Sequence, residues 1–225
     1  MKVRTSQQLY AYWNELRGQR LAPQRFEIEP SAIAQILPDT FILERQDRHD
    51  YMFRLAGTRI CDRFGREFRG RNLLDLWTTE DREVLIRVLE SVTRDGGVGV
   101  VGLMASANGA GAVAYEILLL PLVHTGQTIS RVLGSLVPVS ALTPYASEPI
   151  DKIELNTFEI IWPDGRPHAV VTRSDTPVPF LRDVGNSKVV KFERRSFRVY
   201  DGGRKDTAGG VPSAPGPAGT PFGSK

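Results

Sequence analysis

Apolar residues recur along this chain with two distinct periods. Leu9, Tyr12, Trp13 and Leu16 stand at i, i+3, i+4 and i+7, the single stripe of an amphipathic helix. Thr5 or Ser6 is placed to cap its start and Gly18 to end it. The stretch from Pro23 to Pro38 reads as a connector holding a short helix over Ser31–Leu37. Phe41–Leu43 and Tyr51–Leu55 then read as two strands, and the segment between them, Gln46–Asp50, is too polar to be buried. From Thr58 to Trp77 the pattern predicts short helices broken at Gly65 and Gly70. A longer helix follows, with Thr79 as its cap and Asp81 and Glu83 at its positive end. Val84, Leu85, Val88, Leu89 and Val92 make its buried face, and Gly96-Gly97 stops it.

The remainder reads as strand: Val98–Ser106, an Asn108-Gly109 turn, Val113–Val123 and Thr128–Val139. An Asn-Gly pair between two apolar runs is a strong hairpin signal. Five strands interrupted after the second by helices do not make a doubly wound sheet, in which strand and helix alternate throughout. The pattern predicts an α+β domain over 30–140: a five-stranded antiparallel sheet with short helices and one long helix on one face. Residues 1–29 form its N-terminal flanking helix and connector. Residues 141–200 are a C-terminal extension in which Ile153–Trp162 fits strand or helix, and Val189–Phe192 and Phe197–Tyr200 fit isolated short strands. From Asp201 to Lys225, seven glycines and four prolines predict a disordered tail.

Charge changes the picture in one place. The net charge is +3, yet residues 182–206 hold eight basic and four acidic side chains, which with Lys225 leaves residues 1–181 at −2. The basic character belongs to the tail and is no whole-domain nucleic-acid signature. Within it, Lys191–Tyr200 interleaves cations with aromatics, a combination suited to single-stranded nucleic acid, and an adaptor using this segment is the rival functional reading. No window approaches the roughly 18 apolar residues of a membrane span, and the N-terminus lacks the apolar core of a secretion signal. A cytoplasmic protein is expected. A lone cysteine, Cys61, allows no internal disulfide.

The β-β-α-α-α-β-β-β order resembles a PAS domain, a sensory fold of bacterial signalling. The run from Phe53-Arg54-Leu55-Ala56-Gly57 through Phe64-Gly65 to Gly70-Arg71-Asn72-Leu73-Leu74-Asp75-Leu76-Trp77 is similar to the one PAS domains carry across their short helices. Glu116–Leu122 and Arg131-Val132-Leu133-Gly134, with the lead-in Tyr12-Trp13…Leu16-Arg17 and Pro30, resemble the fifth PAS subfamily of stand-alone proteins common in alphaproteobacteria. The resemblance covers about residues 5–140. It implies a non-catalytic sensory or regulatory role, acting through small-molecule sensing, protein–protein interaction or both. The stripe Leu9, Tyr12, Trp13 and Leu16 is large for a helix that precedes the domain, and PAS proteins often dimerise through such helices, so a homodimer through these residues is expected; the alternative is that the helix folds back on its own sheet. With no output module in the chain, a downstream signalling protein must carry the output.

The expected ligand pocket lies between the helices and the sheet, lined by Leu55, Phe64, Leu73, Leu74, Trp77, Leu85, Leu103, Ile117 and Leu133. No cofactor is predicted, and the ligand is an unidentified small molecule. Flavin-binding light sensors of the PAS superfamily carry a cysteine in Gly-Arg-Asn-Cys. Here the run is Gly70-Arg71-Asn72-Leu73, and leucine offers no thiol for an adduct. Haem-binding members use a histidine on the long helix, and none lies between Thr79 and Asp95. His49, His124 and His168 are not spaced as metal ligands. The literal G-x-G-x-x-G at Gly97–Gly102 follows a helix and enters a strand, the reverse of a dinucleotide site. There is no G-x-S-x-G nucleophile elbow.

Overall fold

The computed structural model describes residues 1–107, 111–126, 128–140 and 148–165, with the backbone of 189–193. The expected hairpin turn at Asn108-Gly109, the segment Phe197–Tyr200, the basic run beyond residue 193 and the tail from Asp201 lie outside the described residues. Three α-helices occur among them, α1 (Arg4–Arg17), α2 (Thr58–Phe64) and α3 (Thr79–Asp95). The strands are β1 (Thr40–Arg45), β2 (Tyr51–Ala56), β3 (Val98–Ser106), β4 (Val113–Thr125), β5 (Thr128–Pro138), β6 (Lys152–Ile161) and β7 (Val189–Glu193).

All strands join one antiparallel sheet in the order β2-β1-β5-β4-β3-β6-β7. Two expectations are corrected here. The sheet is not five-stranded, because β6 runs along the whole of β3 and β7 registers on β6 (Phe158 opposite Phe192) rather than standing alone. The short helices α2 and Leu73–Leu76 and the long helix α3 share one face as expected, but the N-terminal helix, expected only to flank the domain, covers the other. α2 and α3 cover one side through Ile60, Phe64, Leu85, Ile86, Leu89 and Val92. α1 and the connector cover the other through Leu9, Trp13, Ile28, Ile33 and Ile36.

This double cover explains the run Ile117–Leu122. Ile117 and Leu119 enter the α2/α3 core, while Leu118, Leu120 and Leu122 enter the α1 core, so every position of this run within the central strand is buried. The short helix expected over Ser31–Leu37 is instead two 3₁₀ turns, Pro30–Ile33 and Leu37–Asp39.

Capping separates local from tertiary causes. α3 is capped from its own sequence, although by Thr78 rather than Thr79: the Thr78 hydroxyl accepts from the Asp81 amide at 3.3 Å, and Gly96 takes the left-handed stop at φ 72°. The Asp81 carboxylate, buried, accepts from the Leu155 amide of β6 at 3.1 Å. That amide adjoins a bulge where the β3–β6 register slips between Gly102 and Leu103. α1 has no side-chain cap from Thr5 or Ser6. Glu116 of β4 supplies it across the fold, accepting from the amides of Lys2 at 2.6 Å and Val3 at 3.3 Å.

The glycine motif at 97–102 has a packing role. A Cβ on Gly99 would come within 2.9 Å of Val88 on α3, and one on Gly102 within 2.5 Å of Thr157 on β6. Bare backbone here lets α3 and β6 approach β3. Among the described residues no helix is long and apolar enough to cross a membrane.

Candidate functional site

The site forms where α2, the 3₁₀ turn Leu73–Leu76 and Trp77 lie over β1, β2 and β5. Asn72 starts the turn, its side-chain oxygen accepting from the Leu74 amide at 3.1 Å and the Tyr51 amide at 3.2 Å. The same segment shields the edge strand β2: the Phe53 amide donates to the Arg71 carbonyl and the Gly70 amide to the Phe53 carbonyl. α2 is seated by charge. Buried Asp39 takes Arg59 at 2.6 Å and Arg63 at 2.9 Å, and Arg63 also donates to the Leu136 carbonyl at 3.0 Å. Removing Asp39 would leave Arg63, itself largely buried, without its counter-charge, which is costly.

Four aromatic rings run beneath these elements. Phe41 meets Phe53 at 5.6 Å, Phe53 meets Phe68 at 4.9 Å, and Phe68 meets Phe64 edge-on at 5.1 Å. Such pairs contribute about 0.5–1.5 kcal/mol each beyond area burial. Arg66 lies over Phe64 and Phe68 from outside, 5.9 and 5.4 Å from the ring centres. Phe41 keeps its place because residue 134, opposite it on β5, is glycine: a Cβ there would stand 2.2 Å from the Phe41 ring.

Between the aromatics and the sheet is a cavity of about 10 Å³ with an entirely apolar lining. The four phenylalanines wall one side, Ile60, Leu73, Leu76 and Trp77 close the helical side, and Leu103, Ile117, Leu136 and Ile153 form the floor. A volume of ~10 Å³ is at the threshold for one water, and a water would need two to four polar partners. Leu76 also lines an open groove of about 410 Å³ on the outer surface, whose other walls include Asp50, Met52, Arg66, Arg71 and Asp75. Leu76 is the one residue that both linings share.

Of the residues predicted for the pocket, Phe64, Leu73, Trp77, Leu103 and Ile117 line this cavity, while Leu74 and Leu85 belong to the same core without walling it. Leu55 and Leu133 are corrections. Simple alternation puts Leu55 on the same side as Phe53. The register instead pairs Leu43 with Phe53 and Ile42 with Leu55, so Arg54 is a bulge residue and Leu55 turns to the opposite face, 42% exposed. Leu133 packs there with Ile42 and Leu120. The alternation missed Phe41, Phe53, Ile60, Phe68, Leu76, Leu136 and Ile153, the last because β6 lay outside the expected domain.

The residues expected to mediate self-association are also placed differently. Leu9 and Trp13 are fully buried beneath their own sheet, and Tyr12 and Leu16 pack against the same core. The Trp13 indole donates to the Pro121 carbonyl at 2.8 Å, Ser6 meets Ser135 at 3.4 Å, and Arg17 pairs with Asp164 at 3.0 Å. The stripe of α1 faces its own protomer because both faces of the sheet need cover.

Cys61 is buried on α2, its thiol donating to Glu67 at 3.7 Å, and burial pushes its pKa above the ordinary thiol value. Since the thiolate is the nucleophile, folded protein at pH 8 should react with iodoacetamide much more slowly than the same chain in guanidinium. Mass spectrometry of timed aliquots measures this, and equal rates would contradict the burial. Among the described residues no three His, Cys, Asp or Glu side chains converge as a metal site.

A strand order of 2-1-5-4-3 with the helices inserted between β2 and β3, closing an apolar cavity over the sheet, defines a sensory domain of the PAS class. The family model of the PAS domain matches residues 1–137, and the chain belongs to that family, in its fifth subfamily. The match includes α1 and ends within β5, so β6 and β7 lie beyond it. No curated protein matches the chain. PAS domains are in general sensory, regulatory modules rather than catalysts, and that general role is the one family membership supports here.

Proposed function

We propose that this protein senses a small apolar molecule through the cavity beneath α2 and Trp77, and passes the resulting repacking to a partner protein. The observation that carries this reading is Leu76, which stands between an all-apolar cavity and an open groove. A rotation of one side chain on a short 3₁₀ turn joins the two, so the cavity enlarges without moving the sheet. Apolar enclosures with few polar groups are characteristic ligand sites. The floor is shared by β3, β4, β5 and β6, so a ligand that separates helices from floor acts on four adjacent strands of the sheet. Binding shifts only states that it distinguishes, so this reading requires a second packing in which the cavity is larger.

Toluene is a suitable probe because it has no hydrogen-bonding group and no charge. In the full chain with labelled Ile and Leu methyl groups, toluene should shift the NMR signals of Ile60, Leu103, Ile117 and Ile153. Those of Leu118 and Leu120, on the α1 face, should stay in place. Absence of any shift, or equal shifts on both faces, would overturn the reading.

A further inference from the structure

We infer that the α1-side surface of β2, together with Arg25 and Arg131, is a docking site for an acidic segment of a partner protein. It names the partner surface that the proposed function leaves open, and it stands whether or not the cavity takes a ligand. Glu44 on β1 is opposite Arg131 on β5, and Arg131 is opposite Leu122 of the α1 core. Residues paired across strands share a face, so these lie on the side of the sheet away from the cavity. The Glu44 carboxylate holds Arg131 with one oxygen at 2.8 Å and Arg54 of β2 with the other. Arg25 follows Gln24, which bridges to Val123 near the end of β4. Arg25 makes no ion pair among the described residues, and the nearest acid in sequence, Glu27, is taken by Arg20 at 2.9 Å. Burial, and then the charges of Arg54 and Arg25, push the Arg131 pKa below the ordinary guanidinium value. Guanidinium groups stay protonated in proteins. The cluster therefore sets three positive charges against one carboxylate, and an added anion relieves their repulsion.

Two apolar side chains make the surface more than a charge. Phe26 follows Arg25 with its ring exposed, and Leu55 follows Arg54, half-exposed on the α1 side of the sheet. They are two of the four large hydrophobic side chains that stand exposed among the described residues. Arginine and aromatic anchors dominate the binding energy of protein interfaces, and a carboxylate meets a guanidinium in a paired, planar geometry. A nucleic acid would meet the arginines with phosphate but offers no aliphatic complement to Leu55. Two uncompensated charges are also few beside the row of phosphates that a nucleic-acid site neutralises. The partner does not add a strand to β2 at Phe53, whose amide and carbonyl are taken by Arg71 and Gly70. It meets side chains instead. β1 and β5 reach both sites: Phe41 and Leu136 line the cavity, while Glu44 and Arg131 hold the cluster.

The experiment titrates the ¹⁵N-labelled full chain with a short peptide of repeated Glu-Glu-Leu, and separately with a Lys-Lys-Leu peptide and oligothymidylate. The acidic peptide should move the amide signals of Arg25, Phe26, Arg54, Leu55 and Arg131 saturably, and the lysine peptide should move none of them. Arg25→Gln, Arg54→Gln and Phe26→Ala should each weaken binding about three- to tenfold. Arg87→Gln, an exposed arginine on α3 across the sheet, should leave it unchanged. Phe26 and Arg54 are exposed, so their variants keep the fold. Shifts confined to the basic run 182–206, or equal weakening by Arg87→Gln, would show mere attraction between opposite charges and overturn the proposal. Oligothymidylate moving the same signals as strongly would overturn it in favour of nucleic acid. None of these outcomes bears on the cavity, which toluene tests by itself.

Discussion

Trp77→Ala should lower the melting midpoint by roughly 6–20 °C. Truncating a buried tryptophan typically costs about 3–5 kcal/mol, and in chains of this size each kcal/mol shifts the midpoint by roughly 2–4 °C. The position is severe for a local reason. Trp77 is 5% exposed and follows directly on the turn Leu73–Leu76, just before Thr78 caps α3. Its ring therefore fixes where the turn ends and where α3 begins, and both elements bury their apolar faces on the same core. Phe26→Ala provides the control, because that ring is 79% exposed and its loss should leave the midpoint within about 1 °C. Thermal denaturation followed by circular dichroism compares the three proteins. A parent-like midpoint for Trp77→Ala would mean that the helical segment is not seated through this residue.

Trp13→Ala should be comparably destabilising, although the residue belongs to the N-terminal helix and the opposite core. The side chain is fully buried between α1 and the sheet, its N–H is bonded to Pro121, and the Arg17 guanidinium lies 5.5 Å from its ring centre. The expected loss is again about 3–5 kcal/mol, and Trp13→Phe, which keeps most of the ring, should recover all but about 1–3 kcal/mol. The Pro121 carbonyl lies past the outermost β3–β4 pair, Gly99 opposite Leu119, where β3 begins. Beyond that point the edge of β4 pairs with the connector, the Val123 amide donating to the Pro23 carbonyl at 3.0 Å. If Trp13→Ala melted like the parent while Trp77→Ala collapsed, α1 would be an appendage rather than a layer of the domain. Static light scattering on the same samples separates this from any change of oligomeric state.

Much of the fold is legible in the sequence because the relevant signals are local. The alternation and turn residues around β1 to β5 place five strands within a few residues of where they lie, and α3 declares itself by its stripe and its glycine stop. The order β-β-α-α-α-β-β-β then follows from reading along the chain. The family resemblance of the short-helix run, Phe53 to Trp77, is equally a property of neighbouring residues. Within the cavity wall, Phe64, Leu73 and Trp77 were reachable because they sit on the segment that the pattern assigns to the helical cover.

What the sequence leaves undecided is the pairing of surfaces. The stripe Leu9–Leu16 demands a hydrophobic partner but does not say which, and a second copy of the chain satisfies that demand as well as the far face of its own sheet. Glu116 shows the difference in one residue: in the sequence it only opens the run Glu116–Leu122, and its contact with the Lys2 and Val3 amides makes it a helix cap. Leu55 follows the same logic, because a bulge defined by the partner strand β1 reverses the face that simple alternation assigns. By itself the sequence determined periods, caps and breaks, which depend on residues a few positions apart. The tertiary structure alone decided which face each stripe covers, how β6 extends the sheet, and which rings meet around the cavity, because those depend on register between strands distant in the chain.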